Sequence, residues 1–127
     1  MSHALEVGKK LVELCRDGKF NEAMDQLYSP HIVSVESSAP PPQPLRVEGI
    51  AAVKGKAQWW EKNHEIHRVE VAGPWPHGER FIVRFTIDVT QKAGPMAGKR
   101  FTMDEAALYT VKDGKIVHEE FFYSTGG

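Results

Sequence analysis

Three segments, Arg80 to Thr90, Phe101 to Val111 and Lys115 to Tyr123, alternate apolar and polar residues with a period of two, and that pattern constrains the fold more than any other feature. Phe81, Val83, Phe85, Ile87 and Val89 fall on one side of a segment from Arg80 to Thr90, because successive side chains of a β-strand point to opposite faces. Phe101, Met103, Glu105, Ala107, Tyr109 and Val111 obey the same rule, as do Val117, Glu119, Phe121 and Tyr123. Between the last two segments, Lys112-Asp113-Gly114-Lys115 supplies a glycine able to take positive φ and an aspartate that tolerates turn geometry, so they are expected to form an antiparallel hairpin. Glu105 and Glu119 interrupt the pattern, since both stand on the side that should be apolar. An ionised carboxylate there is costly unless paired or hydrogen-bonded, and otherwise takes a raised pKa. Two readings stay open: proton transfer within an apolar site, or a structural role such as pairing with Arg84.

Upstream of these strands the period changes to that of helices. Leu5, Gly8, Leu11, Val12 and Cys15 recur at spacings of three and four over residues 4 to 16, with Gly18 as a stop. Phe20, Ala23, Met24 and Leu27 mark a second helix from Phe20 to Tyr28, ended by Pro30. A short β-branched strand is expected over Ile32 to Glu36. Ile50, Val53, Ala57 and Trp60 mark a third helix from Ile50 to Asn63. A strand from His67 to Ala72 and a Gly73-Pro74-Trp75-Pro76-His77-Gly78 turn follow. The prolines of Pro40-Pro41-Pro42-Gln43-Pro44 enforce extended backbone, as a stiff loop beside a pocket or as a proline-rich recognition motif. Three helices, one strand among them, and a four-stranded meander argue an α+β fold with the helices on one face of a curved sheet.

Bulk properties remove several function classes. The chain has 127 residues, which is one domain spanning 1–127. Sixteen basic against seventeen acidic residues leave a formal charge of −1, so no global field favours nucleic acid or a membrane surface. The single cysteine, Cys15, cannot form an internal disulfide and falls in a helical apolar stripe, which suits a reducing cytoplasm. No apolar run reaches the length needed to cross a bilayer, so a cytoplasmic protein is expected. His64-Glu65-Ile66-His67 does not have the spacing of a metalloprotease helix, and no metal is expected. The outer faces of the last strands carry Ala106, Leu108 and Phe122, which suggests a homodimer through the outer sheet face.

The order of elements resembles the SnoaL-like branch of the nuclear transport factor 2-like superfamily, which has the cystatin-like fold and includes ketosteroid isomerases, scytalone dehydratase and polyketide cyclases. The residues that carry the likeness run from Leu27-Tyr28-Ser29-Pro30-His31-Ile32 through Glu36, over Glu48-Gly49-Ile50, and from Asp113-Gly114-Lys115 through Tyr123. Gly55-Lys56-Ala57-Gln58-Trp59-Trp60 with Ala93-Gly94-Pro95-Met96-Ala97-Gly98 is similar to a bacterial subgroup known mainly as uncharacterised. The resemblance implies a cone-shaped α+β barrel, three N-terminal helices packed on the concave face of a curved, mainly antiparallel sheet, with an apolar pocket at its wide end. It places Glu36 where ketosteroid isomerases carry the aspartate base at the end of the first strand. Their oxyanion aspartate falls at Ala107, two residues from Glu105, and the tyrosine of their first helix has no counterpart among Leu11, Val12 and Leu14.

The expected site therefore joins Glu36, Glu105 and Glu119 as proton-transfer residues with Trp59, His64, Met103, Tyr109, Phe121 and Tyr123 as substrate walls. Several carboxylates in one apolar cavity cannot all ionise cheaply, so one should keep its proton while another is charged. Such a site suits a cofactor-independent isomerase, cyclase or dehydratase acting on a small hydrophobic molecule. A non-catalytic ligand-binding or accessory protein is the alternative.

Overall fold

The period-two segments form long strands, and the helices lie on the face to which their apolar residues point. The structure is a computed structural model and describes residues 3–39 and 43–124. Its elements are α1 (Ala4–Arg16), α2 (Phe20–Leu27), β1 (Tyr28–Val35), β2 (Arg46–Glu48), α3 (Ile50–Asn63), β3 (His64–His77), β4 (Arg80–Gln91), β5 (Arg100–Lys112) and β6 (Lys115–Phe122). The strands make one open sheet in the order β2-β1-β6-β5-β4-β3. Every pairing is antiparallel except β1 with β6, which run parallel. This α+β architecture is the expected one, with the sheet open between β2 and β3. No helix among the described residues is long and apolar enough to cross a membrane.

Phe81, Val83, Phe85, Ile87 and Val89 are all buried on the inner face of β4. Against them α1 lays Ala4, Val7, Gly8, Leu11, Val12, Leu14 and Cys15, whereas Leu5 is exposed. Gly8, Leu11, Val12 and Cys15 of the expected stripe are thus buried, and Ala4 takes the place of Leu5 at its start. Gly8 lies on it because a Cβ there would come 2.8 Å from Pro74 Cβ and 3.1 Å from the Phe81 ring. Only a glycine lets α1 approach β3 and β4 this closely.

Three local readings are corrected, and one strand, β2, is added to them. β1 starts at Tyr28 and includes Pro30, because the β1–β6 register is irregular between Tyr28 and Val33 and a proline is tolerated where the ladder is broken. β3 runs from His64 to His77 and leaves only Gly78 of the expected Gly73–Gly78 segment in the turn, since a register shift between Ala72 and Trp75 accommodates Pro74 within the strand. β2, with three residues, is too short to show a period. In β6 the buried apolar residue is Ile116, not Val117, because a shift between Thr110 and Val111 pairs Val111 with Ile116 and Thr110 with His118. Pro40 to Pro42 of the proline-rich stretch lie outside the described residues. On the outer face, Arg84 pairs with Asp104 and Arg100 with Asp88, so neither arginine neutralises Glu105 or Glu119.

The close α1–β3 contact makes a prediction. Gly8→Val should lower stability by about 1–3 kcal/mol in urea unfolding, through overpacking. Unchanged stability would show that α1 has room at this point.

Candidate functional site

Helices α1 and α2 pack against only part of the concave face, and α3 crosses its open side, leaving a cavity of about 680 Å³. Of α3, only Val53 is fully buried. Ala57 and Trp60 of the same stripe face the cavity instead. Phe20, Met24, Phe85, Ile87, Met103 and Phe121 supply apolar walls, and the exposed residues Ser38, Pro44 and Trp59 mark the mouth. Glu36, Glu105, Glu119, Trp59, His64, Met103, Tyr109, Phe121 and Tyr123 all line this one space.

Strand register explains how the polar groups meet. Ser34 of β1 stands beside Glu119 of β6, which stands opposite Tyr109 of β5. Glu119 is buried, and both of its oxygens accept hydrogen bonds: Oε1 from the Tyr28 hydroxyl and Oε2 from Ser34 Oγ at 2.7 Å. Burial pushes its pKa up, and the two donors and nearby Lys56 offset part of that. Burial, reinforced by the Glu119 charge, holds the Tyr28 and Tyr109 hydroxyls well above their ordinary range, so both keep their protons.

Glu36 lies just past β1, where the chain is fastened to the end of β6. Ser37 Oγ donates to the Phe121 carbonyl at 2.6 Å, and the Tyr123 hydroxyl donates to the Ser38 carbonyl at 2.8 Å. Lys56 Nζ sits 3.7 Å from Glu36 Oε1, donates to Ser34 Oγ and lies 5.3 Å from the centre of the Phe121 ring. Glu36 Oε2 is buried and has no hydrogen-bond partner among the described residues. Burial raises the Glu36 pKa and the Lys56 charge opposes the rise.

Glu105 has a different setting. It accepts no hydrogen bond and has no ion pair among the described residues. Burial first, then the charges of Glu36 and Glu119, push its pKa up to about 7. The two carboxylates thus hold their protons to different degrees in one cavity, which is the arrangement that separates an acid from a base.

The aromatic residues frame this space. Trp60 stacks on His64 with ring centres 4.4 Å apart. His64 Nδ1 lies 2.9 Å from the Trp60 carbonyl, which can only accept, so the ring donates there. Tyr109 stacks on Phe81 at 5.0 Å and meets Phe121 edge-on.

Sequence reasoning missed Lys56, Ser34 and Tyr28. Lys56 had a signal, being three residues from Val53 and four from Trp60 on the stripe that turns inward. Ser34 had one too, since it shares the inner face of β1 with Ile32.

A family model for the SnoaL-like domain matches residues 2–123. The chain belongs to the SnoaL-like family. A Mesorhizobium loti structure, provisionally named a SnoaL-like polyketide cyclase, is 42% identical, with 93% of this chain and 97% of that chain covered and a TM-score of 0.85. Two more distant structures share the fold. A Xanthomonas campestris protein of unknown function with a cystatin-like fold is 15% identical, covering 98% of this chain and 92% of that one, at a TM-score of 0.75. A Bacillus subtilis protein provisionally named an isomerase is 18% identical, covering 95% and 86%, at a TM-score of 0.67. No curated protein matches the chain.

The raised Glu105 pKa sets a pH dependence in this SnoaL-like chain. The folded state keeps the Glu105 proton up to about pH 7, while the unfolded chain loses it near 4.5, so folding binds more protons between these values. Stability therefore falls as pH rises through that window, by about 3 kcal/mol for this group. Glu105→Gln removes this group's share of the dependence. In urea unfolding the variant should gain about 1–3 kcal/mol on the wild type between about pH 4 and about pH 8. A constant difference across that range would contradict the assignment.

Proposed function

We propose that this SnoaL-like protein is a cofactor-independent enzyme that moves a proton on a small hydrophobic carbonyl compound, as an isomerase, cyclase or dehydratase does. The observation that carries this reading is the unequal setting of Glu36 and Glu105. Glu36, beside Lys56 and with Oε2 unpartnered, is the base that takes a proton next to the carbonyl. Glu105, with no ion pair or hydrogen-bond donor among the described residues, keeps a proton near neutral pH and gives a hydrogen bond to the developing enolate oxygen. Glu119 has both oxygens occupied and serves as an orienter.

The cavity also indicates substrate charge. Lys56 is the one lysine or arginine among the described lining residues, and Ser34 and Glu36 engage it. Four lining carboxylates, Glu36, Glu61, Glu105 and Glu119, and no free lysine or arginine among the described residues disfavour an anionic substrate. Apolar walls and a volume within the range of small-molecule pockets favour an uncharged one.

A non-catalytic ligand carrier is the competing reading. Ala107, fully buried opposite Phe121, stands where ketosteroid isomerases place an oxyanion donor, and this favours it. The two readings separate in a panel of hydrophobic ketones and β-keto esters, with exchange of the α-proton for solvent deuterium followed by NMR. The enzyme reading predicts exchange above buffer for at least one compound and a loss of about 10²–10⁴-fold in Glu36→Gln. Binding without exchange, or exchange that Glu36→Gln leaves intact, supports the carrier.

We also propose that a second copy covers the outer sheet face. Ile82, Leu108, Ala106 and Phe122 lie there on adjacent strands, with Ile82 and Phe122 exposed. The neighbouring Arg84 and Asp104 give each copy both charges, so a two-fold pairing can set unlike charges against each other. Sedimentation at micromolar concentration should show a dimer, and Phe122→Glu should give a monomer. A monomeric wild type would count against this contact.

A further inference from the structure

Glu119 is the buried carboxylate that the proposed proton transfer leaves without a chemical step. Its hydrogen bonds form part of a chain whose direction is fixed. The Lys56 ammonium can only donate, so the Ser34 hydroxyl accepts from it and donates its single O–H to Glu119 Oε2, 2.7 Å away. The Tyr28 hydroxyl fills Oε1. With both oxygens accepting, the chain suits the carboxylate form. Ser34 is fully buried, so water does not compete for its hydroxyl.

We propose that Glu119 is a positioning residue: by holding the Ser34 hydroxyl as an acceptor, it fixes Lys56 beside Glu36. This rests on the reading of Glu36 as the base. The carboxylate also has a direct effect of opposite sign, because its negative charge disfavours a second charge on Glu36. Of the two, the charge of Lys56 acts on Glu36 more strongly. The other titratable groups that act with Glu36 are Glu105 on β5 and Tyr123 beyond β6.

The opposite signs make the proposal testable without a substrate. The side-chain carboxyl of Glu36 is followed by carbon NMR through a pH titration and assigned by its loss in Glu36→Gln. Glu119→Gln removes the charge and replaces one acceptor with an amide donor. A direct field alone then lowers the Glu36 titration midpoint, whereas loss of the relay raises it. Ser34→Ala cuts the chain and leaves the Glu119 charge in place.

The relay predicts an upward shift of about half a pH unit or more in both variants. Ser34→Ala decides: an unmoved or lowered Glu36 midpoint overturns the proposal whatever Glu119→Gln gives, including a failure of that variant to fold. The outcome is independent of the enzyme reading, which stands or falls on exchange lost in Glu36→Gln. A relay that fails with exchange intact removes only the role given to Glu119.

Discussion

Burial of the Glu119 carboxylate in the middle of the sheet is the constraint around which the site is arranged. A residue paired on one side with Ser34 and on the other with Tyr109 cannot turn toward water. An unsatisfied charge in that position would cost several kcal/mol. Both donors come from β1, Tyr28 from its start and Ser34 from near its end. The parallel pairing of β1 with β6 thus brings donors to Glu119 as well as completing a sheet. Ser34 in turn receives Lys56, which ties α3 to the same centre and brings a positive charge next to Glu36.

The cavity follows from where the helices stop. Helix α1 packs tightly on β3 and β4, with Gly8 against Pro74. Helix α3 buries Val53 and turns Lys56, Ala57 and Trp60 toward open space. Within that space the carboxylates differ because their partners differ. Glu119 has two hydroxyl donors, Glu36 has one cation and a free oxygen, and Glu105 has no donor and no ion pair among the described residues. Identical side chains thereby acquire different affinities for a proton, through contacts made by strands and a helix far apart in sequence.

Much of this was legible in the sequence where one residue's periodicity is enough to place it. The alternation over β4, β5 and β6 identified the inner face, and Glu105 and Glu119 could be placed on it before any contact was known. Long strands and the third helix were legible for the same reason. Features that depend on partners were not. The extension of β3 through Pro74 and the shift that buries Ile116 instead of Val117 depend on cross-strand register, which a local pattern does not encode. Lys56 was passed over because a lysine within a helix usually points to solvent. Its inward direction is explained only by Ser34 and Glu36, which lie on another element.

The central claim is that Glu36 and Glu105 share one cavity yet hold their protons differently near neutral pH. A carboxyl-carbon NMR titration of the wild-type protein, with both residues assigned, tests it most directly. The account predicts that Glu105 titrates at about 7 and Glu36 at a lower pH. Two carboxyls that titrate together near the ordinary glutamate value of 4.5 would contradict it.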